Sequence, residues 1–188
     1  MNAGKSTALI QVAFNYEERG QRALVIKPTI DTKDTVVLSR LNIYREVDIQ
    51  ATPETNLLTE LLDCLAQAEE TSSPFHCILI DEAQFLTTAQ VDQLFEFAVI
   101  YGIPVIAYGI RTDFQRNAFT GSARLLELAH SIEELKTICR CGKKAIFNGR
   151  KIDGEFVSAG SQVAIDGQDA TYESLCGACY RKEVEQAG

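Results

Sequence analysis

The apolar positions of this chain change period in a regular order. Ala8, Leu9, Val12 and Ala13 recur at helical spacing over residues 8–19, with Arg19 in the last turn and Gly20 placed as a left-handed stop. Arg22–Lys27 is a β-rich run ended by Pro28, and residues 29–51 mix polar and apolar positions without a period, which predicts an irregular stretch. Thr52-Pro53 offers an N-cap followed by proline at the first helical position, and Leu57, Leu58, Leu61, Leu62 and Leu65 then mark one packed helix face. Ser72-Ser73-Pro74 breaks that pattern before an apolar strand, Phe75–Ile80. Thr87 with Gln90 has the form of a capping box for a helix that runs to Tyr101 and stops at Gly102; Pro104–Ile110 is the next apolar strand. Strands alternating with helices of this length predict an α/β domain whose parallel sheet is covered on both faces. From Lys136 the composition turns to Cys, Gly and Lys in short alternating runs. The chain therefore divides into residues 1–135 and a smaller domain over 136–188.

Composition narrows the function. The 188 residues are 46% hydrophobic, enough for a sizeable core, while no apolar run approaches the roughly 20 residues of a membrane span. No signal peptide is visible at the written start. A net charge of −8 argues against binding a nucleic acid polymer, which needs clustered Lys and Arg, but leaves room for a nucleotide held by one lysine and a few N–H groups. Four of the six cysteines stand in two close pairs, which in a reducing compartment suggests metal before disulfide and hence a cytoplasmic protein.

Three constellations carry chemistry. Met1-Asn2-Ala3-Gly4-Lys5-Ser6-Thr7 is the last part of the pattern G-x-x-x-x-G-K-[ST], whose first glycine would precede residue 1. Gly4 lets backbone N–H groups turn toward phosphates, Lys5 reaches the β and γ oxygens, and Ser6 can place a hydroxyl on Mg²⁺ at a helix start that favours anions. An ordinary capped helix is the plainer alternative. Next, the strand ending in Ile80 delivers Asp81 and Glu82 to its C-terminal end, where a Walker-B aspartate meets Mg²⁺ and a second carboxylate can act as a general base. Alone, they would read as a solvated pair of acids. Finally, Cys139, Cys141, Cys176 and Cys179 suit a closed tetrahedral zinc site of structural type, with paired disulfides as the alternative. Cys64 and Cys77 fall on core positions, and His76 and His130 match no motif. Phe85, Phe114, Phe119 and Tyr172 fall outside helical stripes and could stack on a base or fill core.

Taken in order, "MNAGKST", "DEAQF", "YGIRTDFQRNAF", "ELKTICRCGKKA" and "YESLCGAC" resemble the thymidine kinase family of the zinc-containing cellular and bacterial type. The resemblance spans essentially the whole chain. It implies a RecA-like P-loop parallel sheet, a small C-terminal zinc-binding domain with a loop that closes over the nucleoside, and ATP-dependent phosphorylation of thymidine in deoxynucleoside salvage. It further implies a homotetramer inhibited by dTTP. Carried over residue by residue, ATP and Mg²⁺ fall to Met1, Asn2, Ala3, Gly4, Lys5, Ser6, Thr7, Asp81, Glu82, Ala83 and Gln84, with Glu82 as the catalytic base. Met1, Phe85, Ile110, Phe114 and Phe119 match the thymine pocket, Val163, Ile165 and Tyr172 the closing loop, and Cys139, Cys141, Cys176 and Cys179 the zinc ligands. Asp166-Gly167 stands where the family often has Gly-Gly. Two rivals from other classes are a RecA-like ATPase fragment, with Arg111, Arg116 or Arg124 as its finger, and a zinc-ribbon binding module. The interrupted phosphate-loop pattern also predicts weaker ATP binding and lower stability than in a chain extended at its start.

Overall fold

The computed structural model of the chain describes residues 4–28, 36–38, 43–163 and 170–185. Its larger unit, Gly4–Gly109 with Thr120–Ile132, is organised around one strand. In β1 (Arg22–Pro28), Leu24 and Ile26 belong to one core and Ala23 and Val25 to another, and all four are fully buried. A strand needs two apolar faces only if both are covered. Here α2 (Leu57–Thr71) and α3 (Thr88–Tyr101) supply Leu57, Leu61, Val91, Leu94 and Phe97 to the first core, while α1 (Lys5–Glu17) supplies Leu9 and Ala13 to the second. The sheet is parallel, in the order β4 (Ile49–Ala51), β1, β5 (Phe75–Ile80), β6 (Val105–Ala107). The helix α4 (Thr120–Leu128) completes the unit. The covered parallel sheet that the alternating pattern predicts is present.

Element boundaries differ from the sequence expectations where local chemistry competes. The first helix opens at Lys5 instead of residue 8, with Gly4 as its N-cap in the left-handed region at φ 73°, a conformation glycine takes without strain. At its far end Gly20, φ 69°, follows a turn closed by its N–H on the Glu17 carbonyl. The Leu-rich helix opens at Asn56, not at Thr52-Pro53: the Asn56 side chain accepts from the Thr59 N–H at 3.1 Å. Thr52 and Thr55 instead close a separate turn on each other, and Gln90 of α3 fixes it by donating to both of their carbonyls. Within the stretch expected to be irregular, β2 (Val36–Leu38) and β3 (Tyr44–Glu46) form an antiparallel ribbon and β4 joins the sheet; residues 29–35 and 39–42 lie outside the described residues. Strands of three residues are too short to display a period. The strand expected over Pro104–Ile110 keeps ladder geometry only through Ala107, although the Tyr108 N–H still donates to the Ile80 carbonyl.

The second unit joins Ile110–Phe119 to Glu133–Gly188. It carries a ribbon of β7 (Thr137–Ile138) and β8 (Lys144–Ala145) and an antiparallel sheet in the order β10 (Glu155–Val157), β9 (Phe147–Ile152), β11 (Ala170–Leu175). Strands β9 and β10 are joined by Asp153-Gly154, with φ 51° and 87°, the two left-handed residues that a tight hairpin turn requires. A helical turn, α5 (Gly177–Tyr180), continues as a wider π turn over Arg181–Glu185. The core here is small: Ala145, Leu175, Tyr180 and Val184 pack with Cys139 and Cys176. No helix among the described residues is long and apolar enough to cross a membrane.

Candidate active site

The carboxyl ends of the sheet strands and the amino end of α1 come together in the larger unit. Ser6, one residue into α1, donates its hydroxyl to Asp81 Oδ2 at 3.3 Å. Asp81 follows the last residue of β5, is held by its N–H on the Ile26 carbonyl at 3.0 Å, and is only 3% exposed. Its other carboxylate oxygen, Oδ1, is buried with no hydrogen-bond partner among the described residues. Burial first, and then the adjacent Glu82 carboxylate, push the Asp81 pKa above its ordinary value against the opposing pull of the Glu82 N–H, Lys5 and Ser6. A buried carboxylate with one unmatched oxygen, beside a hydroxyl and a lysine, is a hard-oxygen donor set of the kind Mg²⁺ takes.

Glu82 next to it is left-handed, φ 49°, and caps the 3-10 turn Ala83–Phe85. A non-glycine residue held there stores strain. Gln84 Nε2 donates to Glu82 Oε2 in a short hydrogen bond. Gln84 can sit so deep because position 109 is glycine: a Cβ there would lie 3.0 Å from Gln84 Oε1 and 3.1 Å from its backbone nitrogen. The Ala83 N–H, on the Tyr108 carbonyl at 2.9 Å, ties the turn to the chain leaving β6.

In the second unit the four cysteine sulfurs lie within 4.8 Å of one another, the Cys141 and Cys176 sulfurs 3.6 Å apart. All are free thiols, so the disulfide alternative does not hold in this structure. A tetrahedral ion about 2.3 Å from each sulfur would separate them by about 3.8 Å, so the set can hold zinc. The crowding splits their acidities. Burial opposes ionisation of Cys139, but N–H groups of Cys141 and Cys176 and the neighbouring thiols outweigh it and draw its pKa down. The other thiols push that of Cys179 up. Around the aromatic residues, Asp113 Oδ1 accepts from the Gln115 and Asn117 N–H groups at 2.8 and 2.9 Å, shaping the turn that carries Phe114, which is 1% exposed. Tyr172, on β11, and Phe114 both meet one guanidinium, that of Arg150. Phe119 is buried and Val163 exposed.

Comparison with known proteins decides the family. The thymidine kinase family model matches residues 1–180. The chain is 45% identical over 181 residues to a thymidine kinase of Enterobacteria phage T4, covering 94% of this chain and 89% of the other. It is 46% identical over 187 residues to one of Pasteurella multocida, with 98% and 94% covered, and 43% over 189 residues to one of Rhodopirellula baltica, with 99% and 86% covered. The chain belongs to the thymidine kinase family. Of the residues that the sequence assigns to ATP and magnesium in this thymidine kinase family member, Ser6, Asp81, Glu82 and Gln84 stand in one hydrogen-bonded or adjacent group, and Lys5 acts on Asp81 through its charge. Gly4 and Thr7 flank them on α1, and Ala83 and Phe85 lie in the 3-10 turn. Ile110, Phe114, Phe119, Val163 and Tyr172 belong to the second unit and Phe85 to the first. Met1, Asn2, Ala3, Ile165 and the Asp166-Gly167 pair lie outside the described residues. Two of the three candidate fingers of a motor are engaged elsewhere: Arg116 pairs with Glu185 at 2.6 Å, and Arg124 pairs with Asp92 and Glu127. Cys64 packs on the first core and Cys77 is buried in the second, as core thiols should be. Sequence reasoning missed Arg150, Asp113 and Gln162. Arg150 stands in the mixed run Phe147–Ile152 with no period to mark it, Asp113 stands inside the quoted run "YGIRTDFQRNAF", and nothing in the sequence singles out Gln162.

Proposed function

We propose that the chain transfers the γ-phosphate of ATP to the 5′-hydroxyl of thymidine, giving dTMP and ADP. The observation that carries this reading is the group formed by Ser6 at a helix start, the unmatched Asp81 carboxylate and Glu82, in a chain matched over residues 1–180 by the thymidine kinase family. Phosphoryl transfer asks little covalent chemistry of a protein and much positioning and charge neutralisation. Lys5 and the first N–H groups of α1 face the β and γ phosphates, and Ser6 with Asp81 would hold Mg²⁺. When bound, that ion supplies neutralisation of the charge on the phosphate oxygens. Glu82, oriented by Gln84, accepts the 5′-hydroxyl proton as the bond from O5′ to the γ-phosphorus forms and the bond from that phosphorus to the β–γ bridging oxygen breaks. Thymine falls by resemblance to Phe85, Ile110, Phe114, Phe119, Val163 and Tyr172, together with Met1 and Ile165.

The same reading makes the cysteine set a structural zinc site, since four protein thiolates leave no open coordination position. Four free thiols of this kind suit a reducing cytoplasm. The tetramer and the inhibition by dTTP rest on family resemblance. Incubating the protein with ATP, with and without thymidine, tests the central claim. ADP release that depends on thymidine is expected; release independent of it would mark an ATPase, and no release a binding module.

A further inference from the structure

Arg150 is out of character for its place. It lies within β9, is 2% exposed, and forms no ion pair among the described residues. A buried guanidinium is tolerated only when its N–H groups are matched. Two separate parts of the chain supply the matches. Nε donates to the Tyr172 hydroxyl at 3.0 Å, Nη1 to the Ser161 carbonyl at 2.8 Å and Nη2 to the Gln162 carbonyl at 3.0 Å. The face of the guanidinium lies 3.9 Å from the centre of the Phe114 ring and 5.5 Å from that of Tyr172. The backbone approaches this stack at Gly160, φ 137°, where a Cβ would lie 3.5 Å from Arg150 Nη1 and 3.7 Å from Phe114 Cζ. A second tie runs alongside: Gln162 Nε2 donates to Asp113 Oδ2 at 3.0 Å, and Asp113 shapes the turn that carries Phe114.

We propose that Arg150 is a positioning residue for nucleoside binding. It fixes the Phe114 ring, the Tyr172 side chain and the Ser161–Gln162 backbone leading into Val163 in the one arrangement that receives the base. The inference rests on the thymine assignment of Phe114, Val163 and Tyr172 made above. Arginine suits the task and lysine does not. A planar fork serves three acceptors in fixed directions while stacking on an aromatic face, whereas an ammonium is a point charge with no plane. Two of the three acceptors are main-chain carbonyls, so Arg150 sets the path of residues 161 and 162 whatever their side chains. A purely stabilising role would be met as well by an apolar residue of similar volume, because a buried cation among neutral partners gains little net stability.

The test uses the full chain with Arg150→Met and Arg150→Lys, reading kcat, the KM for thymidine and the KM for ATP separately, beside zinc content and thermal melting. Displacing a binding group by about 1 Å can cost on the order of 100-fold, so the KM for thymidine is expected to rise by about 10- to 100-fold in both variants. The lysine is expected to rescue only in part, with kcat and the KM for ATP within about twofold of wild type. Phe114→Leu, measured alongside, should raise the same KM. An unchanged KM for thymidine in folded Arg150 variants, with Phe114→Leu impaired, overturns the inference and leaves the thymine assignment standing. If neither site matters, the assignment itself fails, and a wild type without thymidine-dependent ADP release removes the functional reading altogether. Should Arg150→Met not fold, Arg150→Lys decides. Loss of a cooperative melt in both overturns the inference, because it makes Arg150 a folding residue.

Discussion

Asp81 is held in a condition that suits catalysis and burdens the fold. Its pKa in the folded chain lies above the ordinary carboxylate value, first through burial and then through Glu82. For a group shifted in that direction, the associated stability is fully present below its unfolded pKa and is lost as the pH rises through the folded one. At neutral pH the ionised side chain therefore costs stability until a cation takes up its unmatched oxygen. Asp81→Asn should raise the melting temperature, by the equivalent of about 0.5–2 kcal/mol, while turnover with magnesium and ATP collapses. Calorimetry and ADP release read the two effects, and a lower melting temperature would count against burial as the dominant cost. Glu82→Gln should retain nucleotide binding and lose about 10²- to 10⁴-fold in turnover, the usual contribution of a general base. Near-normal turnover would move that role to another residue. Lys5, Ser6, Asp81 and Glu82 were legible in the sequence because each belongs to a short run whose spacing carries the chemistry. Arg150, Asp113 and Gln162 were not, because their roles lie in partners such as the Asp113–Gln162 pair, 49 positions apart, which leave no periodic trace.

At the scale of elements, the turn that presents Glu82 depends on a glycine in a different helix. A Cβ at Gly121, in the first turn of α4, would lie 2.6 Å from the Leu86 carbonyl oxygen, 2.8 Å from that of Ala83 and 3.0 Å from that of Gln84. Those are backbone atoms and cannot step aside singly. Gly121→Ala should cost about 1–3 kcal/mol of stability, as overpacking does, and lower kcat because the shifted turn carries Glu82. Melting and kinetics on the purified variant check both, and unchanged kcat with lowered stability would uncouple α4 from the site. Elements with strong local signals were readable in advance. Strand β5 has the residues expected of it, and α3 opens on the Thr87–Gln90 capping box and stops at Gly102. The start of α2 was misread because Thr52, Thr55 and Asn56 can all cap, and it is Gln90, far along the chain, that assigns Thr52 and Thr55 to a separate turn.

For the molecule as a whole, the second unit has a small core, beside which stand ion pairs around Glu173 and a cysteine set that can hold a metal ion. Hydrogen bonds from Arg140 first, with Lys151 adding to them against the cost of burial, hold the Glu173 pKa at about 2. A depressed carboxylate contributes stability above its unfolded pKa and loses it as the pH falls through the folded value. Stability should therefore decline from the ordinary glutamate range down to about pH 2, and Glu173→Gln should flatten that part of an acid titration followed by circular dichroism. Zinc should matter more. Structural zinc sites in small domains are worth about 10–16 kcal/mol of apparent binding energy. Chelation should melt the second unit at a temperature where the covered parallel sheet persists, seen as a separate early transition; a chelated protein with an unchanged melt would show the metal to be dispensable.

The cysteine set also has a meaning for how such a chain can change over generations. Cys141 and Cys176 stand 35 positions apart yet meet, so the segment between them, with β9, β10 and β11, is a loop closed at its base. Closing a flexible loop costs only about 0.6 kcal/mol more for each doubling of its length. The clasp thus separates tolerance from precision: residues can be gained or lost at the Asp153-Gly154 turn without dismantling the anchor. A unit fastened in this way can try new loop lengths while the four-cysteine base that holds it is inherited intact.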